Sequence, residues 1–202
     1  MMVNEEFRLD LAHQNLKYMP KSLFKNYREV VQIIDLSYNQ IRDVSFLEGC
    51  TQLTSIIVDH NELNSDVIFP RLPQVKLLWM NYNLLTRLHP FVERLAYSFQ
   101  YLQHLSLMGN VIVPPLNEDT FYHYLQYRLF VISRLQSLLY LDDRAVTEDE
   151  KEEALRLYRR PEDIGDKFSF TTMATAAFSK VRQIVNPVAM GYRQDSQRSR
   201  LI

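Results

Sequence analysis

The sequence has one cysteine, four glycines and no long uninterrupted run of apolar residues among its 202 residues. A lone Cys50 cannot form an internal disulfide, so we expect a reducing compartment, by default the cytoplasm. No apolar stretch has the length of a secretion signal or of a membrane span, so direct membrane insertion is not expected. Four glycines leave little material for a phosphate-binding loop, and no P-loop or dinucleotide-binding motif occurs.

An excess of positive charge is also lacking, because 23 basic residues are balanced by 24 acidic ones for a net charge of -1. Surfaces that bind nucleic acid are usually basic, so direct nucleic-acid binding is not expected. The five histidines lack the spacing of metal ligands. No nucleophile has an identifiable activating base. The sequence therefore predicts no metal, no cofactor and no catalytic residue, and an enzyme is not expected.

What the chain does have is a repeated pattern of apolar residues, within an overall hydrophobic content of 47%. The pattern L-x-x-L-x-L-x-x-N-x-L, with conservative replacements, occurs four times in one register. Its asparagines are 22, 22 and 27 residues apart and are Asn39, Asn61, Asn83 and Asn110. Weaker copies begin at Leu9 and Leu138. Such a pattern at intervals of about 20–29 residues is typical of leucine-rich repeats.

Each position of the repeat has a physical role. Residues two apart on a strand point to the same side, so L-x-L places two apolar side chains in the interior. The asparagine side chain can bond backbone groups that the following turn leaves unpaired. One repeat alone cannot bury its apolar face, so neighbouring repeats must stack. The predicted fold is α/β, a leucine-rich-repeat solenoid with short parallel strands on its concave face.

Two segments after the fourth repeat are predicted to be helical. Residues 117–135 carry apolar side chains at helical spacing, and Thr147 to Glu150 matches a capping box that should begin a helix ending near Tyr158. These helices would form a cap over the last repeat. We expect residues 1–158 to form the repeat domain with its C-terminal cap. Residues 159–202 should form a less ordered tail, because prolines and glycines interrupt its periodicity.

The side chains between the core positions of each strand are predicted to face the concave surface. A solvated sheet face is usually polar, yet several of these residues are apolar, including Trp79, the only tryptophan. An apolar patch with a polar rim, here including Tyr38, His60 and Tyr82, is typical of a protein-binding surface, with Trp79 as its anchor. The predicted protein-binding residues are Ile33, Asp35, Ile57, Asp59, Leu77, Trp79, Asn81, His104 and Met108.

An alternative is that the patch is covered within a single molecule, which we expect to be a monomer. The tail segment from Phe168 to Val188 is apolar enough to cover it. The same segment is equally suited to folding on a separate partner. The sequence leaves both interpretations open.

Several stretches resemble known families. The cap segment from Tyr127 to Asp142, with Val131, Ile132, Leu135 and Leu138 between them, is similar to the terminal cap shared by the spliceosomal U2 A-prime protein, the acidic nuclear phosphoproteins and related small solenoids. More narrowly, residues 35–39 (DLSYN), 68–73 (IFPRLP) and 105–110 (LSLMGN) resemble the family of leucine-rich melanocyte differentiation-associated proteins. The likeness runs from Leu9 to Leu155.

The resemblance implies a non-enzymatic adaptor in endosomal or melanosome-type membrane trafficking. The implied partners are Rab small GTPases and the Retriever/Commander machinery, which would recruit a cytoplasmic protein to endosomes or melanosomes. The candidate tail contact is formed by Leu201 and Ile202. The alternatives are a U2 A-prime-like ribonucleoprotein component, which would accumulate in the nucleus, and a cytoskeletal or ciliary scaffold, because the fold alone does not exclude either.

Overall fold

The computed structural model describes residues 7–19 and 24–158. Within them, seven short strands form one sheet in the order in which they occur along the chain. The strands are β1 (Arg8–Asp10), β2 (Ile33–Asp35), β3 (Ser55–Ile57), β4 (Leu77–Trp79), β5 (His104–Ser106), β6 (Tyr140–Leu141) and β7 (Arg144–Ala145). Neighbours from β1 to β6 are parallel, and β7 pairs with β6 in the antiparallel sense. The predicted solenoid of short parallel strands is confirmed.

The middle residue of each strand forms the core. Leu9, Ile34, Ile56, Leu78, Leu105 and Leu141 are aligned across the sheet. Ile34, Ile56, Leu78 and Leu141 have no exposed surface, whereas Leu9 on the first strand is half-buried. The solenoid interior is therefore closed from its second strand onward and more open at its first.

Each repeat asparagine connects its own turn to the preceding repeat. The Asn61 amide group donates to the carbonyl oxygens of Val58, Asp59 and Leu36, the last at 2.9 Å in the preceding repeat. Its Oδ1 accepts from the backbone N–H of Ile41 at 2.9 Å. Equivalent bonds to the preceding repeat are made by Asn39, Asn83 and Asn110. The predicted role of the asparagines is confirmed.

The described residues also form three α-helices and a 3-10 helix (Ser45–Leu47), which lie between strands except for the last α-helix, which follows β7. The α-helices are α1 (Leu88–Ser98), α2 (Phe121–Arg134) and α3 (Glu148–Leu157). Helix α1, which the sequence analysis did not predict, lies in the longer interval between Asn83 and Asn110. None of these helices is long and apolar enough to cross a membrane.

The two predicted cap helices are present with slightly different limits. Helix α2 begins four residues later than predicted, because the Asn117 side chain accepts from the Thr120 backbone N–H and forms a turn first. Helix α3 begins at the predicted capping box, in which Thr147 and Glu150 each accept from the other's backbone N–H. The predicted tail from residue 159 lies outside the described residues, as do Leu201, Ile202 and the segment from Phe168 to Val188.

Candidate protein-binding face

The strand register brings the predicted binding residues together. On each strand, the residues before and after the core residue point to the opposite side of the sheet from it. We call the surface that these side chains form the concave face. One row across the strands contains Arg8, Ile33, Ser55, Leu77, His104 and Tyr140, and the next contains Asp10, Asp35, Ile57, Trp79 and Ser106. Asp59, Asn81 and Met108 lie just beyond the strand ends, where consecutive repeats remain hydrogen-bonded. Trp79 is thus directly beside Ile57.

The expectation that the apolar residues of this face form an open patch is wrong for three of them. Ile33, Ile57 and Leu77 are only 6%, 3% and 5% exposed. Each has a larger side chain beside it in register: Arg8 next to Ile33, Trp79 next to Ile57 and His104 next to Leu77. The larger side chains therefore form the exposed part of the face. There, Trp79, His104 and Met108 are half-buried.

The polar residues of the face are linked to one another rather than free to form an open rim. Asp35 accepts from the guanidinium group of Arg8 at 2.9 Å and from the backbone N–H of Ser37. Asp59 Oδ1 accepts from the Asn81 backbone N–H at 2.7 Å. Asp59 and Asn81, both predicted to be protein-binding residues, are buried, at 8% and 1% exposure. Their main role in the described structure is to join adjacent repeats.

The electrostatic character of the face changes along the solenoid. Asp10 and Asp35 make the part near the first strands acidic, with Arg8 as the neighbouring cation. At the other end, the His104 ring stacks on Tyr140 with ring centroids 5.3 Å apart. Burial lowers the pKa of His104, against a smaller raising effect of its hydrogen bond with the Lys76 backbone. This end of the face is therefore aromatic, and its His104 ring is uncharged at physiological pH.

Catalytic chemistry is not indicated in the described part of the chain. No group of His, Cys, Asp or Glu side chains there is arranged to hold a metal ion. Burial raises the pKa of the Cys50 thiol to about 11, with the charge of Arg28 acting in the opposite direction. The thiol is therefore protonated near neutral pH and lacks the reactivity of a thiolate.

A row of stacked rings borders the concave face; three of its members were predicted as rim residues, but their stacking was not predicted. We call it the ring row: His13, Tyr38, His60 and Tyr82, with successive ring centroids 4.3, 4.2 and 4.4 Å apart and planes within 11° of parallel. All four residues have positive φ, between 52° and 57°. Tyr38, His60 and Tyr82 each directly precede the repeat asparagine. That shared position was a sequence signal that could have revealed the row.

The fold and the asparagine ladder define the class: the chain contains a leucine-rich-repeat solenoid with a helical C-terminal cap. Residues 8–63 match the family model described as leucine rich repeat. The human leucine-rich melanocyte differentiation-associated protein is 37% identical over 129 residues, which are 60% of this chain and 65% of that protein. The resemblance predicted from the sequence is confirmed. The match spans just under two thirds of the relative's length.

A solved structure shows the same fold at lower sequence identity. A chain in the crystal structure of the Drosophila melanogaster SNF/U2A' complex is similar with a TM-score of 0.59 and 20% sequence identity. The similarity covers 77% of this chain and 83% of that chain. At this identity the likeness shows the fold alone.

Proposed function

We propose that the chain is a non-enzymatic adaptor that binds another protein through its concave face. The single observation that carries the proposal is the position of Trp79, half-buried on this face between Ile57 and Ser106. Tryptophan is among the residues most often found as an anchor of protein-binding energy, because a large ring buries much apolar area at low entropic cost. The asparagine ladder fixes the strands and so preorganises this face for a partner.

The charge distribution defines the kind of surface that would fit. Asp10 and Asp35 favour basic groups on the partner near the first strands. The neutral rings of Trp79, His104 and Tyr140 favour apolar or aromatic groups near the later strands. A partner segment with an apolar end and a basic end, laid across the strands, would match both parts.

At the level of biological role, we propose membrane trafficking of the endosomal or melanosome type, with Rab small GTPases and the Retriever/Commander machinery as partners. The similarity to the human leucine-rich melanocyte differentiation-associated protein supports the melanocyte-related part of this proposal. The protein would be cytoplasmic and would be recruited to endosomes or melanosomes by these partners. In this role, Leu201 and Ile202 would be a second contact, with the recycling machinery.

The test of the proposed face is direct binding to purified partners. A panel of Rab GTPases, each loaded with GDP or a GTP analogue, and the Retriever subunits would be titrated against the full chain by biolayer interferometry. Trp79→Ala should weaken binding at least about tenfold, as expected for loss of an anchor residue. Tyr97→Ala is the matched control, because Tyr97 is an exposed aromatic residue on helix α1 rather than on the concave face. Equal binding by both variants would contradict the assignment of the face.

The second candidate function is a ribonucleoprotein component, favoured by the structural likeness to a chain of the SNF/U2A' complex. In this case the partner would be an RNA-binding protein, and the tagged chain would accumulate in the nucleus. Live-cell imaging of the full chain separates the two proposals, since the first expects cytoplasm and endosomes. A location on cilia or cytoskeletal fibres would instead support the scaffold alternative.

A further inference from the structure

The two ends of the sheet differ in how they are closed. At the last repeat, the antiparallel strand β7 covers β6, and its core residue Leu141 has no exposed surface. At the first repeat, β1 is the edge strand, and no other strand of the described residues pairs with its outer side. Leu9 and Leu11 are half-buried, and Phe7 is 39% exposed. An unpaired edge beside exposed apolar side chains is a site for pairing with another strand.

The outer side of β1 presents a defined set of backbone groups. The Phe7 carbonyl accepts from Ile33, and the Leu11 N–H donates to Asp35, so the backbone groups of these alternate residues point toward β2. Because backbone groups alternate along a strand, the N–H and C=O groups of Arg8 and Asp10 point away from β2. Among the residues that the structure describes, these four backbone groups therefore have no strand partner.

The side chains around this edge are self-complementary. The segment Phe7-Arg8-Leu9-Asp10-Leu11 is chemically symmetric about Leu9, with apolar residues at its ends and centre and opposite charges between them. In an antiparallel pair of two such segments centred on Leu9, each Arg8 faces Asp10 of the second copy. Each Phe7 faces Leu11 of the second copy, and the two Leu9 side chains face each other. Opposite charges and apolar pairs directly across strands are both stabilising.

We propose that β1 is a self-association edge and that its occupant is β1 of a second copy of this chain, in antiparallel register about Leu9. The outward groups of Arg8 and Asp10 are those that this register needs for its two hydrogen-bonded pairs. The two sheets become one continuous sheet, and the half-buried leucines at the open ends of both solenoids cover each other. This proposal is independent of the proposed partner binding and replaces the expected monomer by a reversible homodimer.

Substitutions that reverse or exchange the charges at positions 8 and 10 test the proposed antiparallel register. Asp10→Arg places arginines opposite each other, while the position remains beside Asp35, so the fold should tolerate it. The dissociation constant of the full chain, measured by sedimentation equilibrium, should increase about tenfold or more, because like charges directly across strands repel. In the matched double variant Arg8→Asp/Asp10→Arg, the exchanged charges again face opposite charges, and the arginine introduced at position 10 lies opposite Asp35.

The double variant should therefore restore the dimer. A chain that stays monomeric into the submillimolar range would overturn the proposal. So would a dimer that Asp10→Arg leaves unchanged. If the double variant has a native circular dichroism spectrum but does not dimerise, the antiparallel register is wrong.

Cysteine cross-linking gives a second measurement of the same register. Directly opposite residues in a non-hydrogen-bonded antiparallel pair have Cα atoms about 4.5 Å apart, within the range that a disulfide can span. Leu9→Cys should therefore form a covalent dimer under mild oxidation, and Asp10→Cys should not, because position 10 faces Arg8. The buried Cys50 does not compete. Equal cross-linking of both variants, or none with Leu9→Cys, would overturn the proposed pairing.

Discussion

Arg128 and Glu150 form a buried ion pair that joins helix α2 to helix α3, with 2.5 Å between Arg128 Nε and Glu150 Oε1. Both side chains have almost no exposed surface, at 1% and 3%. Arg128 also donates to the carbonyl oxygens of Leu141 at 3.0 Å and Ala145 at 2.8 Å, which belong to the β6–β7 hairpin. One guanidinium group therefore connects both helices and the hairpin that close the last repeat.

Breaking this pair on one side should strongly destabilise the cap. Glu150→Gln retains an oxygen for the capping box but leaves the Arg128 charge buried without its counterion. We expect the free energy of unfolding, measured by urea denaturation, to fall by about 3–5 kcal/mol. Glu148→Gln is the control, because the exposed Lys151–Glu148 pair should contribute less than about 1 kcal/mol. Similar losses for both variants would show that the buried pair does not hold the cap.

The asparagine ladder predicts a difference between two substitutions at one position. Asn61→Ala should lower the free energy of unfolding by about 1–3 kcal/mol, because buried carbonyl groups lose their donor. Asn61→Asp should cost more, since its carboxylate would face the three carbonyl oxygens to which the amide donates. Asn64→Ala is the control, as Asn64 is exposed and its side chain bonds only a local N–H. An aspartate variant as stable as wild type would contradict the bonding pattern.

The carboxyl group of Asp142 should make stability depend on pH. Burial raises the pKa of Asp142 from 3.8 to about 6, although hydrogen bonds from the Leu107 backbone and the Tyr127 hydroxyl act in the opposite direction. A raised pKa in the folded state means that the protonated form is favoured. The resulting stabilisation is present below about pH 4 and is lost as the pH rises through about 6.

Asp142→Asn should remove this dependence while retaining an oxygen that accepts from Leu107. We compare the free energies of unfolding of the variant and the wild type. The variant's value minus the wild-type value should rise by about 3 kcal/mol from about pH 4 to pH 7, since each pKa unit corresponds to about 1.4 kcal/mol. Urea denaturation of both proteins across this range measures the difference. Parallel curves for the two proteins would show that the Asp142 pKa is not raised by folding.

Because His60 has a positive φ, glycine should be more acceptable than alanine at position 60. His60 has a φ of 52° and stacks on Tyr38 and Tyr82. His60→Ala loses both stacking contacts but keeps the left-handed backbone strain, whereas His60→Gly loses the contacts and removes the strain. We expect the alanine variant to melt at a lower temperature and to be about 1 kcal/mol less stable than the glycine variant. The reverse order would argue against strain at this position.

Gly109 ends the ring row and should not accept a larger residue. A Cβ atom at this position would lie 2.4 Å from Cδ1 of the Tyr82 ring, and the φ of Gly109 is 75°. Gly109→Ala should therefore lower stability by about 1–3 kcal/mol. In the Tyr82→Ala background the steric part of this loss should disappear, leaving only the backbone cost. A double-mutant cycle by urea denaturation measures this coupling, and additive losses would contradict the contact.

Most of the fold followed from the sequence because the repeat specifies it position by position. The alternation in Ile33–Asp35 and its equivalents fixed which residues lie inside, and the asparagines fixed the turns. Helix α1 was not predicted because its apolar residues lie between two copies of the repeat and do not follow the repeat pattern. The buried Arg128 was also missed, since its role depends on Glu150 22 residues later and on backbone carbonyls of the hairpin.

The sequence predicted which residues belong to the concave face but not which of them are exposed. Strand alternation and register are local properties, so Trp79 and Ile57 were correctly placed on one side of the sheet. Exposure depends on the size of the neighbours in adjacent repeats, and so Ile33, Ile57 and Leu77 were wrongly expected to be open. The stacking of the ring row was not predicted for a different reason: it depends on the positive φ of Tyr38, His60 and Tyr82, which is uncommon for residues other than glycine.

The buried ion pair of the cap has a consequence for synthesis on the ribosome. The coils that contain β1 to β5 emerge before Arg128, and each can stack on its predecessor as soon as it is translated. Glu150 emerges 22 residues after Arg128. During that interval the guanidinium group must stay hydrated, and the hydrophobic interior of the newest coil remains accessible to chaperones. Final closure of the nascent solenoid therefore waits for the first turn of α3.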